Sequence, residues 1–487
     1  MPSIIYIITL IIFLSWNRNI IVSAETWCYD TVNPLEQDNP KPVRCPAVTE
    51  KQDNIFHNVG INPNASTNMF EISFTCDPSA NQTTCDKAKE SFEKAGEIFT
   101  SVLSLNTPIR INASLVSLSD DTVLGSAAPA RLIPLKCKDK KIRNFPQSLV
   151  KQFQFSTHPE YASDDIIAVF NSKCNFYFEG DPTITPDQIG FLELIVHEIV
   201  HGLGLVTNWK PLLNSNTVTE LTPALNLTST STSYSDKSDP EVYYGFIETI
   251  FDSFIVTNEG NRFSDFTEQL NDFTPYGTKF QDQSAFISAF INSPEYNVSQ
   301  MVLKYSQTAN TMVFLANPHS ELIWLESNIT PYSKGSSISH FSMEIYDNTT
   351  DFLMTYLQHP GRSLETALQQ NNATCVIGPK LLYLFETIGY ATPNNPNPQK
   401  PSLIESHPVK SKTTSWKNST TTTTTTTIDT NDTTTTTDSN DKSKPTTSNL
   451  FSSTESIIFN NNNYGWINLV ISLSVGGLFF ISGGWIF

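Results

Sequence analysis

The chain has 487 residues and a mass of 54.4 kDa, and its 39% hydrophobic and 11% aromatic content exclude a globally disordered protein. Lys+Arg number 30 against 48 Asp+Glu, giving a formal charge of -18 and a pI near 4.8, which argues against binding nucleic acid or anionic headgroups through the net field. Only 16% of residues are charged, so much of the polarity comes from Ser, Thr and Asn, as in secreted chains.

Ile4 to Leu14 is uncharged and apolar, and Val22-Ser23-Ala24 is a small-residue cleavage site. Residues 1–24 are therefore expected to be a signal peptide, with a retained signal anchor as the other reading. Residues 25–85 form an N-terminal region in which a prosegment would lie. The seven cysteines are Cys28, Cys45, Cys76, Cys85, Cys137, Cys174 and Cys375, an odd count that leaves one thiol over after three disulfides or puts one pair between chains. Phe70 to Thr75 alternates like a strand, and Asp86 to Leu103 reads as a helix with Phe92, Ala95, Phe99 and Val102 on one face. Ile109 to Leu118 and Asp165 to Phe170 are strand candidates, and Asn175 to Phe178 is an edge-strand candidate.

Thr185-Pro186-Asp187-Gln188 carries the signals of a helix start, with Thr185 as N-cap and Gln188 completing a capping box. The helix holds His197-Glu198-Ile199-Val200-His201. Residues four apart share one face, so both imidazoles can bind one zinc ion, and Glu198 can act as general base on a water there. Gly202 and Gly204 are expected to end the helix.

This segment resembles the metzincin zinc peptidases. Their compact pattern places a third histidine three residues after the glycine, but here that position is Thr207. The leishmanolysin-like branch instead has a long insertion and a distant third histidine before a methionine turn. Ser339-His340-Phe341 followed by Asp351-Phe352-Leu353-Met354-Thr355 is similar to that arrangement, with Met354 fourteen residues after His340. The resemblance implies His197, His201 and His340 as ligands of one catalytic Zn2+, with Glu198 as catalytic base. It also implies Met354 as a packing floor, the alternative being an ordinary core methionine. Tyr356 sits where some metzincins place a metal or oxyanion ligand, the alternative being a plain buried tyrosine. His319 and His359 compete for the third ligand position. Arg44-Cys45 is similar to the thiol that masks zinc in some prosegments, against the simpler reading of a Cys28–Cys45 disulfide. Pro379 to Ile388 reads as a helix closed by Gly389, again as in metzincins.

The implied fold is α+β: a peptidase domain over residues 86–395 with a mixed twisted sheet, an active-site helix and a mainly helical or irregular C-terminal subdomain. Residues 209–339, about 130 residues, form an insertion that matches no pattern and whose end must return beside the zinc helix. Unbroken threonine runs at 420–427 and 433–437 lie in a stalk expected over residues 396–456, and residues 457–487 read as a polar spacer and uncharged tail. That tail fits a GPI-attachment signal, with a tail-less transmembrane anchor as the alternative. Ten Asn-x-Ser/Thr sequons agree with passage through the secretory pathway. The expected protein is a glycosylated zinc metalloendopeptidase of the cell surface or exterior, acting on proteins or peptides, with no nucleic-acid partner and a membrane contact through its C-terminal anchor. The second class that suits the same stalk is a surface-binding glycoprotein or adhesin on an inactive peptidase fold, against which the intact Glu198 argues.

Overall fold

The computed structural model describes residues 27–36, 40–49, 68–213, 217–229, 240–317, 319–404 and 485–486. The expected signal peptide and most of the stalk and tail lie outside the described residues, as do Asn64, Asn418 and Asn431. The first elements are an antiparallel pair, Trp27–Asp30 (β1) and Lys41–Arg44 (β2), with Cys28 and Cys45 buried and disulfide-bonded. There follow Phe70–Cys76 (β3), the helix Gln82–Val102 (α1), Ile109–Val116 (β4), Gly125–Pro129 (β5), Arg131–Lys136 (β6), Ile142–Pro146 (β7), Ile166–Asn171 (β8) and the helix Phe191–Leu203 (α2).

These strands build two four-stranded sheets, of order β2-β1-β6-β7 and β3-β4-β8-β5. In the second, β4 runs parallel to β3 and β8, a connection that needs a crossover element, and α1 supplies one between β3 and β4. Edge strand β5 is antiparallel to β8, with Ala127 facing Ala168. The result is an α+β fold.

Period-two alternation decides which face of this sheet is covered. Ile109, Ile111, Ala113 and Leu115 of β4 and Ile166, Ala168 and Phe170 of β8 are all buried. Against that face pack α1 and α2, joined by edge-to-face rings: Phe92 to Phe170 at 5.5 Å and Phe170 to Phe191 at 5.4 Å between centroids. Phe191 is fully buried at the first turn of α2, so it anchors the helix that carries the motif. Phe191→Ala is expected to destabilise the protein by about 3–5 kcal/mol, read as a lower denaturant midpoint at unchanged slope.

Two expectations about α2 are corrected. The helix begins at Phe191, not Pro186, because Ile189–Gly190 pairs in parallel with Phe176–Tyr177 and Gln188 O accepts from Gly361 N at 2.8 Å. Only half of the capping signal forms, and it closes a turn: Thr185 N donates to Gln188 Oε1 at 2.9 Å and Gln188 N to Thr185 O at 3.0 Å, while the Thr185 hydroxyl donates to Asp187. Gly202 lies inside the helix rather than at its end, and a Cβ there would meet Ile166 Cγ2 at 2.5 Å. Its role is close approach to β8, whereas Gly204, at φ +123°, makes the sharp exit.

The insertion holds the helices Phe263–Asn271, Gln283–Ile291 and Tyr296–Tyr305 and two three-stranded antiparallel sheets. One joins Ala224–Ser229, Glu241–Ile247 and Lys279–Phe280; the other joins Ile255–Thr257, Met312–Ala316 and Glu321–Trp324. Rings from Tyr243, Phe246, Phe273, Phe286 and Phe290 pack together, with Phe246 and Phe290 at 5.4 Å between centroids. After the site, the helix Pro379–Ile388 ends at Gly389, as expected. Ser402, within the range expected for the stalk, is held against β6 by two backbone hydrogen bonds to Lys136, both 2.8 Å. Among the described residues no helix is long and apolar enough to cross a membrane.

Candidate metal centre

Every residue of α2 is buried, so its polar side chains must find partners inside the protein. Glu193 does so with Arg362, at 2.8 Å. His197 and His201 project from adjacent turns of one face, and His340 arrives from the far end of the insertion, so that the three imidazoles converge. Their Nε2 atoms lie 3.1 Å (His197 to His340), 3.2 Å (His197 to His201) and 3.3 Å (His201 to His340) apart. Three nitrogens each about 2.0–2.1 Å from a tetrahedral zinc would sit roughly 3.3–3.4 Å apart, so the spacing fits.

The other ring nitrogens settle the tautomers. His197 Nδ1 faces Leu353 O at 2.7 Å, His201 Nδ1 faces Leu205 O at 2.7 Å, and His340 Nδ1 faces Ser336 O at 2.9 Å. A carbonyl only accepts, so each Nδ1 carries the proton and donates it. Each neutral ring then presents a bare Nε2 lone pair to the other two. Burial pushes His201 down to about 4 and His197 and His340 well below the usual imidazole range, with neighbouring rings adding to the effect at the latter two. Three buried lone pairs at this spacing repel unless a cation lies between them, so the group could hold a metal ion.

Glu198 is buried beside the triad, and burial pushes its carboxyl up to about 8 in the metal-free protein. One oxygen, Oε2, accepts from Ala127 N on edge strand β5 at 2.6 Å. Met354 is fully buried in the short 3-10 turn Phe352–Met354. Its carbonyl accepts from Phe341 N at 2.7 Å, and the preceding Leu353 carbonyl orients His197, so this turn braces two of the three histidines. Tyr356 is half-buried just beyond, its hydroxyl pKa raised by burial and by the charge of Glu326.

The competing histidines are engaged elsewhere: His319 Nε2 with Glu386 at 2.5 Å and His359 Nε2 with Asp347 at 2.6 Å. Cys45 is not the free thiol a latency role needs. It is bonded to Cys28, and a disulfide sulfur offers no thiolate to a metal. Cys76 pairs with Cys85, leaving Cys137, Cys174 and Cys375 unpaired.

Sequence reasoning missed the supports. Ala127 acts through its backbone, and no side-chain signal marks it. Thr207, a failed ligand in the sequence pattern, donates from its backbone N to Ser339 Oγ at 3.1 Å and from its hydroxyl to Asp252 at 2.6 Å. Asp252 also accepts from Asn208 N and Thr249 N, fixing the segment after α2, and burial raises its pKa to about 7. The end of the insertion thus returns beside the motif helix, as the third histidine required.

A family model described as SPBPB7E8-like matches residues 27–428, which include all four site residues. The Schizosaccharomyces pombe (strain 972) protein named "Uncharacterized protein PB7E8.01" is 29% identical over 373 residues, or 68% of this chain and 64% of that relative. The chain therefore spans a little under two thirds of the relative it matches. No solved structure matches.

Proposed function

The chain belongs to the SPBPB7E8-like family, and for this member we propose a zinc metalloendopeptidase of metzincin type with a leishmanolysin-like arrangement. The observation that carries the proposal is three buried Nε2 lone pairs within 3.3 Å of one another, next to the buried carboxyl group of Glu198. His197, His201 and His340 would hold the ion. Zinc, when bound, supplies a Lewis acid that polarises a carbonyl and lowers the pKa of a water.

The remaining chemistry belongs to the chain. Ala127 N–H holds Glu198 Oε2, which fixes the carboxylate as general base for a water and then as the acid that returns the proton to the leaving amine. Leu353, Leu205 and Ser336 hold the imidazoles in one tautomer. Strand β5 is a sheet edge above Glu198, where an extended peptide can add main-chain hydrogen bonds. Tyr356 would be the oxyanion or fifth-ligand candidate of this reading.

A secretory route to the surface, with a C-terminal anchor, belongs to the same reading. Of the seven sequon asparagines among the described residues, six are exposed and Asn226 is half-buried, so none is hidden from a glycan. The test is cleavage of a mixed peptide library by the purified protein, abolished by a chelator and restored by zinc. A protein that holds one zinc and cleaves nothing would instead favour the surface-binding glycoprotein.

A further inference from the structure

Glu193 lies one turn before His197 on α2, on the same side of the helix. Its Oε1 accepts from Arg362 Nη2 at 2.8 Å, and the two side chains are only 5% and 11% exposed. The same guanidinium lies over the ring of Phe352, 5.3 Å from its centroid. Phe352 opens the turn Phe352–Met354, and the next carbonyl, Leu353 O, holds the Nδ1 proton of His197. One arginine therefore touches both the helix that carries His197 and the turn that orients it.

Stability does not account for this pair. Two charges taken out of water gain little over apolar residues of similar volume, and here the cost is not fully met. Glu193 Oε2 and Arg362 Nε are both buried, and neither has a hydrogen-bond partner among the described residues. Nor does the arginine side chain hold its own segment in place. Gly361 N donates to Gln188 O at 2.8 Å and Gln358 Nε2 to Gly190 O at 2.9 Å, which seats that stretch against the residues leading into α2. What the planar, rigid guanidinium adds is a set spacing between Glu193 and Phe352.

We propose that Arg362 is a positioning residue of the metal centre, fixing through Glu193 and Phe352 the contact between Leu353 O and His197 Nδ1. The proposal rests on the three histidines holding zinc and not on peptide hydrolysis. Its test is zinc affinity of the full-length protein, measured by competition with a chromogenic chelator. Glu193→Leu with Arg362→Met removes both charges together at similar volume, so the metal-free Tm is expected to hold or rise. Zinc Kd is nevertheless expected to weaken about ten-fold or more, as for loss of other groups that orient a ligand from behind. The second readout is solvent exchange of the ring Nδ1 protons in the zinc-loaded protein, followed by NMR. His197 is expected to exchange about ten-fold faster in the variant, while His201, held by Leu205 O at the other end of α2, keeps its rate.

Should the double change misfold, Arg362→Lys keeps a cation beside Glu193 but loses the planar contact with Phe352, and Kd is expected to weaken by about three-fold. A Kd unchanged in these variants, whatever the Tm, overturns the role. Equal acceleration of the His197 and His201 protons overturns it as well. A parent protein that binds no zinc overturns the metal centre itself, and this role with it.

Discussion

Glu198→Gln is expected to lower kcat/KM for peptide hydrolysis about a thousand-fold, roughly 4 kcal/mol of transition-state stabilisation, while one zinc ion per chain is retained. Glutamine keeps an oxygen that can accept from Ala127 N, so the link between α2 and β5 survives and only the proton-transfer capacity is lost. A pH signature in the metal-free protein reports the burial of this carboxyl. In the metal-free protein burial raises Glu198 from 4.5 to about 8, so its contribution to stability is fully present below 4.5 and is lost as pH rises toward 8. Glutamine does not titrate. The melting temperature of metal-free Glu198→Gln should accordingly fall less between pH 4.5 and 8 than that of the parent. A rate loss under ten-fold, or loss of zinc, would remove Glu198 from the role of base.

His340→Ala is expected to abolish the stabilisation that zinc confers. At a free zinc concentration of about a thousand times Kd, a metal that binds only the folded state adds roughly 4 kcal/mol, enough to raise Tm by several degrees. His340 supplies one of three nitrogens, and its loss leaves two on a single helix, too few for a closed site. Thermal scans of parent and variant, each with zinc and with chelator, give the four values required. The parent curves should separate and the variant curves should coincide. A variant that keeps the zinc-dependent shift would mean that the third ligand lies elsewhere.

Much of this architecture was legible because it is written in local patterns. The helix Gln82–Val102 and the strands Phe70–Cys76 and Ile166–Asn171 follow from apolar periodicity, and their ends move by only a few residues. The pair His197 and His201 is likewise local, one turn apart. Misreadings came where one local signal serves two structures. Thr185 and Gln188 make only the glutamine half of a capping box, since the Thr185 hydroxyl turns to Asp187, and the sheet and Gly361 claim the next backbone groups before a helix can start. Gly202 looks like a helix terminator, but the reason for glycine is Ile166, which is close only after folding. His340 could not be chosen over His319 and His359 from composition or spacing alone, and needed the family resemblance. The carbonyls of Leu353, Leu205 and Ser336, and the Ala127 N–H, leave no trace in residue type, because any residue offers the same backbone groups.

The disulfide Cys28–Cys45 lies wholly within the first segment, and β1 is an inner strand of its sheet, paired on both sides. Arg131 grips Asp30 with two hydrogen bonds, at 2.6 and 2.8 Å, and Ala47–Thr49 pairs with Thr157–Pro159. A protease cutting anywhere in residues 50–67 would thus sever the chain without shedding its beginning. The product would be a nicked, two-chain molecule whose small fragment stays seated by strand pairing, visible as two bands under denaturing conditions and as one particle under native ones.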